Sequence, residues 1–194
     1  MRTTSSPDTG FLRKAGRSLK AVSVRKPDPH FEINFNSRGH DFKISIPLAR
    51  KIINHILNEL GVEKALINVR FVGLDEIIGA NERYLRHKGP TDVIAFEYDP
   101  KELGLVCSSQ ESACGKVIAG DILLCVDIAV TQAQVYRTSP SKELVRYLIH
   151  GILHICSYSD STKEKKARMK VQEDKILKKV KRTFDIDLLI REIK

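Results

Sequence analysis

The stretch His150–Asp160 reads HGILHICSYSD, and the rest of the chain is organised around it. His150 and His154 are four residues apart, so on a helix both imidazoles lie on one face and can reach a single cation. A catalytic zinc site usually has three protein ligands and one open position. Asp160 is the nearest third ligand, because Ser157 weakens the helix and lets the chain turn back. The stretch therefore predicts a metal site formed by His150, His154 and Asp160.

Gly151, between the two histidines, bears on the alternatives. It stands where the His-Glu-x-x-His motif keeps its general base, so a zincin-type protease is disfavoured. Glycine inside a helix costs roughly 1 kcal/mol relative to alanine, which predicts close approach by a backbone, a substrate or a metal-site partner. The other interpretation of the pair is two partly buried histidines on a core helix, flanked by residues such as Leu148 and Ile152.

The net charge of the 194-residue chain is +9 and is unevenly distributed. Residues 1–26 contain seven Lys or Arg and one acidic residue, and residues 163–182 contain ten Lys or Arg and three acidic residues. Localised positive charge is typical of a protein that binds a polyanion, and nucleic acid is the expected one. A solvated, lysine-rich helix face is the alternative for residues 163–182.

The cysteines and the apolar runs predict a protein that works inside the cell. Cys107, Cys114, Cys125 and Cys156 show no Cys-x-x-Cys spacing, so we expect reduced thiols, with Cys125 and Cys156 in the core. No apolar run approaches the ~20 residues that cross a bilayer, so we expect no membrane partner and a cytoplasmic location. Residues 1–30 are predicted to be a disordered basic arm, although their composition also suits an organelle transit peptide.

Hydrophobic periodicity predicts one domain over residues 31–194. We expect strands at 31–35, 42–46, 65–72, 91–96 and 119–126. We expect helices at 47–60, 75–87 and 127–135, a fourth from Pro140 through the His pair with Ser139 as its cap, and a fifth at 163–182. This order indicates an α+β (α/β layered) fold, with a small mixed β-sheet packed against helices and the metal site on a helix and the turn after it. Residues 99–117 are predicted to be a loop, either a lid or a variable excursion.

Other enzyme classes lack their motifs in this chain. Gly115 and Gly120 form neither Walker nor dinucleotide-binding spacing, so no glycine-rich phosphate loop is predicted. No Gly-x-Ser-x-Gly elbow occurs, which removes the serine hydrolase interpretation. The metal-site prediction is therefore the main functional signal.

Four blocks of the sequence resemble the YbeY family of metal-dependent endoribonucleases that mature rRNA. The family string His-Gly-x-Leu-His-Leu-x-Gly-Tyr-Asp-His is matched by His150, Gly151, Leu153, His154 and Tyr158. The other blocks are Asn81 and Tyr84 with Pro90–Phe96, then Gly120–Ile122, and finally Met169, Glu173, Ile176 and Leu177. The resemblance covers about residues 31–182.

The resemblance implies a single-strand-specific endoribonuclease that acts in late small-subunit rRNA 3′-end maturation and ribosome quality control. It implies one divalent ion, with zinc expected and manganese as the alternative, because Asp160 stands where the family has its third ligand histidine. RNA, in the form of rRNA and the small ribosomal subunit, is the expected partner, together with ribosomal or GTPase assembly proteins.

The resemblance also implies roles for basic residues. The family has an arginine directly after the tyrosine of its Asn-x-x-Tyr block, whereas this chain has Leu85 there and Arg86 one place later. Arg83 or Arg86 can supply the same charge from a shifted position. We expect Arg86 to be catalytic, neutralising charge on the reacting phosphate, and to bind RNA together with Lys163, Lys166 and Lys170.

Several roles stay open from the sequence. Thr91 or Asp92 can orient the RNA strand, but a structural role for Asp92 and Asp121, as a turn cap or amide acceptor, is favoured over catalysis. A non-catalytic RNA-binding or ribosome-binding assembly factor with a structural or degenerate metal site is the second function. A non-haem iron oxygenase is the third, since two histidines and a carboxylate also describe its facial triad.

Overall fold

The computed structural model describes residues 29–105 and 116–193. In chain order these residues form β1 (His30–Arg38), β2 (Phe42–Ile44), α1 (Ile46–Glu59), β3 (Val62–Val72), α2 (Leu74–Ala80), a π-helical turn (Asn81–Leu85), β4 (Val93–Tyr98), β5 (Lys116–Cys125), α3 (Val126–Tyr136), α4 (Pro140–Ile155), α5 (Lys163–Thr183), a 3₁₀ turn (Ile186–Leu188) and β6 (Ile190–Glu192). The α+β class predicted from the sequence is confirmed.

The main sheet has four strands in the order β1-β3-β5-β4. β1, β3 and β5 are parallel, and β4 lies antiparallel to β5 at one edge. Parallel neighbours need a crossover between them, and α1 supplies the one from β1 to β3. The predicted mixed sheet is therefore present, and its antiparallel edge lies beside α4.

The second predicted strand is shorter than expected and lies outside the main sheet. Phe42–Ile44 pairs antiparallel with β6, a strand that the sequence analysis did not predict. The Ser45 amide then donates to the Leu189 carbonyl at 2.8 Å, which draws the C-terminal segment over the start of α1. Short strands give little periodic signal, so their partners are decided by tertiary packing.

The helix predicted at 75–87 is interrupted. α2 ends at Ala80, the π-helical turn follows, and Arg86 ends it in the left-handed region at φ 58°. Asn81 is buried, and its side-chain amide donates to the Gly89 carbonyl at 2.8 Å. This bond fixes the turn that leads into β4.

α4 is the central helix of the hydrophobic core. Its buried residues include Leu144, Leu148, Ile149, Ile152, Leu153 and Ile155. Ser139 caps its N-terminus as predicted, accepting from the Lys142 amide at 3.3 Å. A Cβ at Gly151 would lie 2.9 Å from Ile122 Cγ2 and 3.3 Å from Val93 Cγ2. The close approach expected at Gly151 is therefore real, but its neighbours are sheet side chains and not a backbone, substrate or metal-site partner.

α5 agrees with its prediction at 163–182. Its apolar stripe of Met169, Ile176, Leu177 and Val180 is buried, and most of its lysines are exposed. Cys125 and Cys156 are buried free thiols, as expected. The predicted arm at 1–30 lies outside the described residues except at its last two positions, as do Cys107, Cys114 and most of the predicted 99–117 loop. Among the described helices, none has the length and apolar character needed to cross a bilayer.

Candidate metal centre

Two imidazoles converge at the C-terminal end of α4. The Nε2 atoms of His150 and His154 lie 2.9 Å apart, and the two rings meet edge to face with centroids 4.6 Å apart. Both side chains are half-buried. The i, i+4 spacing therefore places two ring nitrogens against one point, as the sequence predicted.

The bend after α4 brings a carboxylate back to the two rings. Ser157 has a φ of 63°, and its amide bonds to the His154 carbonyl at 2.7 Å, while the Tyr158 amide bonds to the Leu153 carbonyl at 3.0 Å. These two bonds form a C-terminal cap in which Ser157 has the left-handed conformation, and they satisfy the last carbonyls of the helix. The predicted reversal of the chain is confirmed, and it carries Asp160 towards the His pair.

The structure brings His150, His154 and Asp160 together, and we call them the triad. One ligand atom from each lies within 4.8 Å of the other two. Two imidazole nitrogens and one carboxylate oxygen form a donor set that suits a catalytic zinc site with an open fourth position. Asp160 is exposed and the histidines are half-buried, so the site faces solvent. These residues fit a divalent cation.

Glu173, on α5, completes the surroundings of His150. Its carboxylate contacts His150 Nδ1, and only 12% of the Glu173 side chain is exposed. A carboxylate that holds the Nδ1 proton leaves the Nε2 lone pair free for a metal, and partners of this kind orient metal-binding histidines. From the sequence, Glu173 has no role beyond its place in the family resemblance. The available signal was its position, because Glu173 follows Met169 by four residues and precedes Leu177 by four, on the buried face of the helix.

Burial sets the protonation state of His154. Desolvation, followed by the neighbouring His150, lowers the pKa of the His154 imidazole below its ordinary value. Asp160 acts in the opposite direction but does not outweigh the burial. His154 is therefore held in the neutral form that a metal ligand requires.

An open cleft of about 620 Å³ lies on one side of the triad, and we call it the acidic cleft. Its charged lining residues are Asp92, Glu97 and Asp160, and no described Lys or Arg lines it. One wall is the edge strand β4, and the other is formed by the end of α4 and the bend that follows.

A second cleft of about 590 Å³ lies on the other side, and we call it the basic cleft. Its positively charged lining residues are Arg146, Lys163, Lys166 and Lys170. His150 and Asp160 line both clefts, so the triad lies at their junction. The structure therefore places all three predicted RNA-binding lysines beside the predicted metal ligands.

Arg86 stands apart from the other predicted site residues. Its side chain is exposed at the end of the π-helical turn, and Leu85 lines the acidic cleft in its place. The catalytic role expected for Arg86 stays a prediction. Arg146, which the sequence analysis did not single out, is the arginine that lines a cleft next to the triad.

The remaining candidate residues have partners within the fold. Asp92 Oδ1 accepts from the Val93 amide at 2.9 Å and from Thr91 Oγ1 at 3.3 Å. Asp121 Oδ1 accepts from Asn68 Nδ2 at 2.7 Å across the sheet. These contacts agree with the structural role favoured for both aspartates, and only Asp92 also lines the clefts.

Comparisons with known proteins give one consistent family. The family model described as Endoribonuclease YbeY matches residues 33–181. Endoribonuclease YbeY of Salinispora tropica is 31% identical over 144 residues, covering 73% of this chain and 90% of that protein. Endoribonuclease YbeY of Macrococcus caseolyticus is 31% identical over 133 residues, covering 68% and 83%. A solution structure of a Thermotoga maritima protein matches with a TM-score of 0.48 at 21% identity, covering 78% of this chain and 93% of that one.

Proposed function

The chain belongs to the Endoribonuclease YbeY family, and we propose that it is a metal-dependent endoribonuclease that hydrolyses phosphodiester bonds of single-stranded RNA. The resemblance seen in the sequence blocks is thereby confirmed at the level of the family. One observation carries the metal-dependent part of the proposal. The ligand atoms of the triad converge within 4.8 Å at the junction of two open clefts.

His150, His154 and Asp160 are the proposed metal ligands, and Glu173 orients the first of them. A divalent cation held by these residues would lower the pKa of a bound water toward ~7 and would polarise a phosphoryl oxygen. Zinc is the expected ion because two of the three donors are imidazoles. The charge of Asp160 makes manganese the alternative, since carboxylate ligands suit harder ions.

The basic cleft is the proposed path of the RNA backbone. Lys163, Lys166 and Lys170 line it beside the triad, where they can neutralise phosphates on one side of the bond that is cut. Arg86 stays part of the proposal as a contact to the RNA. Its exposed side chain directly follows Leu85, which lines the acidic cleft on the other side.

The biological setting is proposed from family membership. We propose that the substrate is precursor rRNA of the small ribosomal subunit, that the cut belongs to late 3′-end maturation and ribosome quality control, and that ribosomal or GTPase assembly proteins are partners. We also retain the predicted division into a basic arm at 1–30 and one metallohydrolase domain at 31–194. The cytoplasmic location and the transit-peptide alternative stay predictions.

The test combines metal content with RNA cleavage. Protein purified without chelators is analysed for bound elements and incubated with matched single-stranded and double-stranded RNAs and with precursor rRNA. His154→Ala and Asp160→Ala are expected to lose both the metal and the cleavage. Asp75→Ala removes an exposed carboxylate on α2 that lines neither cleft, and it is expected to lose neither. Full metal content and full cleavage in Asp160→Ala would show that the triad is wrong.

A further variant tests the choice of ion. Asp160→His restores the ligand type that the family resemblance implies, and it is expected to raise zinc affinity relative to manganese. An unchanged ratio of the two affinities would place the third ligand elsewhere.

The second candidate function is an assembly factor that binds RNA without cutting it. The observation that favours it is the exposed carboxylate in place of the family's third histidine. Binding of precursor rRNA by metal-loaded protein with no cleavage would support this function over the first. The oxygenase hypothesis finds no support, because both imidazoles come from one helix and the family is a nuclease family.

A further inference from the structure

Arg146 lies on the same face of α4 as the His pair. It precedes His150 by four residues, as His150 precedes His154, so the three side chains follow one another at successive helical turns. One such step advances about 6 Å along the helix axis. A group bound by Arg146 therefore lies next to a group bound at the triad.

The surroundings of Arg146 are open to a ligand on two sides. Its side chain lines the basic cleft and also a third cleft of about 440 Å³, which contains Gln132 and Tyr136. The Arg146 side chain is 37% exposed, whereas its only ion-pair partner among the described residues, Glu143, is 4% exposed. The guanidinium is thus anchored from within the protein and reaches into the clefts.

Hydrogen bonding leaves the guanidinium incompletely satisfied. Arg146 Nε is 3.4 Å from Glu143 Oε2, but this buried nitrogen has no acceptor in hydrogen-bond geometry within the described part of the chain. Glu143 Oε1 is already taken by Thr138 Oγ1 at 2.6 Å. The buried Nε cannot reach a ligand in the clefts, but the side chain is 37% exposed and its terminal nitrogens make no hydrogen bond within the described residues. These two nitrogens can donate to the oxygens of a phosphate in a bidentate manner.

The neighbouring acids offset part of this charge, since Glu143 pairs with Arg146 and Asp174 with Lys170. Four cations line the basic cleft beside Asp92, Asp160 and Glu173. Asp160 is a proposed metal ligand, and a divalent cation there would offset its charge. The acidic cleft across the triad carries carboxylates and no described cation. A polyanion that crosses the triad is therefore held on the Arg146 side.

We propose that Arg146 binds the backbone phosphate of single-stranded RNA that neighbours the phosphate placed at the triad. This inference rests on the proposed function, in which the phosphate at the triad belongs to the RNA bond that is cut. Arg146 and the three lysines together bind the RNA strand on one side of the bond that is cut. The strand is thereby positioned by charge on one side and left free on the other.

The first test measures the affinity of full-length, zinc-loaded protein for a cleavage-resistant phosphorothioate RNA at several salt concentrations. Arg146→Met is expected to weaken binding by roughly tenfold to a hundredfold and to reduce the slope of log affinity against log salt by about 0.7. Arg146→Lys keeps the charge without the bidentate fork and is expected to lie between Arg146→Met and wild type. The control Arg182→Met removes an exposed charge from the last turn of α5, outside both clefts, and is expected to have a smaller effect.

The second test locates the contact on the RNA. Single neutral methylphosphonates are placed in turn along the oligonucleotide. At one position we expect the methylphosphonate to reduce the affinity of the wild type as much as the Arg146→Met substitution does. At that same position we expect the methylphosphonate to cause no further loss in Arg146→Met. A purely structural effect of Arg146 would add to the methylphosphonate effect at every position. That result, or Arg146→Met binding no worse than Arg182→Met, would overturn the inference.

The outcomes separate this inference from the proposed function. RNA that is bound through Arg146 but never cut by the wild type ends the endoribonuclease proposal and supports the phosphate contact. If the wild type cuts RNA but its affinity for RNA does not depend on Arg146, the endoribonuclease proposal is supported and the phosphate contact is overturned.

Discussion

The Glu173 carboxylate, on α5, contacts Nδ1 of His150, on α4. The contact joins two helices whose sequences are separated by the bend that carries Asp160. A carboxylate accepts the Nδ1 proton of His150, which leaves the Nε2 lone pair directed at His154 Nε2, 2.9 Å away. The orientation of His150, a proposed metal ligand, is therefore set by a helix other than its own.

Loss of this contact should weaken metal binding. Glu173→Ala is expected to reduce zinc affinity by about 10–100-fold, as removal of such partners does elsewhere. Glu173→Gln should recover part of the loss, since its amide oxygen can still accept the Nδ1 proton. Titration against a competing chelator measures both. The neighbouring Asp174→Asn is the control, because Asp174 is paired with Lys170 at 3.0 Å and does not contact the triad. Equal affinities in Glu173→Ala and Asp174→Asn would refute the role.

Substitution by alanine should change the free energy of unfolding in opposite directions at two glycines. A Cβ at Gly120 would lie 2.3 Å from the Phe96 carbonyl oxygen and 2.8 Å from Ile155 Cδ1, so Gly120→Ala forces β4 or α4 to move. We expect a loss of about 2–3 kcal/mol in the free energy of unfolding. Gly79, on α2, has no atom within 4 Å of such a Cβ, and Gly79→Ala should gain about 0.5–1 kcal/mol. Urea unfolding measures both changes, and changes of equal sign would contradict the packing at Gly120 and Gly79.

The bend after α4 should be stabilised by glycine. Ser157 holds a left-handed conformation at φ 63°, which costs an L-residue about 1 kcal/mol or more. Ser157→Gly removes that strain and loses only an exposed hydrogen bond to Glu97, so a gain of about 1 kcal/mol is expected.

Ser159→Gly serves as the matched control for the bend. Ser159 has a negative φ, and its hydroxyl accepts from the Ser161 amide at 3.2 Å. Glycine there adds chain entropy to the unfolded state and removes the hydroxyl, so stability should fall. Thermal unfolding of the two variants should move in opposite directions.

Stability should fall in alkali because of Tyr147. Burial, followed by the nearby Asp92, raises the pKa of the Tyr147 phenol well above its ordinary value. Above about pH 10 the unfolded chain loses this proton while the folded chain keeps it, so stability decreases as pH rises. Tyr147→Phe should flatten the decline by about 1 kcal/mol per pH unit, as measured by urea unfolding between about pH 9 and about pH 11. Tyr136→Phe, at an exposed tyrosine, should leave the slope unchanged.

Local sequence signals were sufficient for the elements that build the triad. The apolar spacing of α4, the Ser139 cap and the weak helix propensity of Ser157 together predicted the helix, its end and the return of Asp160. The periodic stripe from Met169 to Val180 likewise predicted α5, and these features depend on residues that are close in the chain.

Features that depend on distant residues were missed. Glu173 reaches His150 across 23 positions, and β6 pairs with β2 from the far end of the chain. The reason for Gly151 lies in Ile122 and Val93, which belong to strands that the sequence does not place against α4. The interruption of the helix after Ala80 leaves no periodic signal, because a π-helical turn changes the spacing over only a few residues.

The triad draws its donors from two parts of the fold that differ in rigidity. His150 and His154 lie on a helix that is packed on most sides, whereas Asp160 is an exposed residue at the end of the bend that follows. The bend can open without unfolding the core, since segments with few buried contacts open at low free-energy cost. A bound ion would then leave in two stages, first released by the carboxylate and afterwards by the rings. The residence time of such an ion would therefore depend on the bend that carries Asp160, and exchange of one metal for another would not require the domain to unfold.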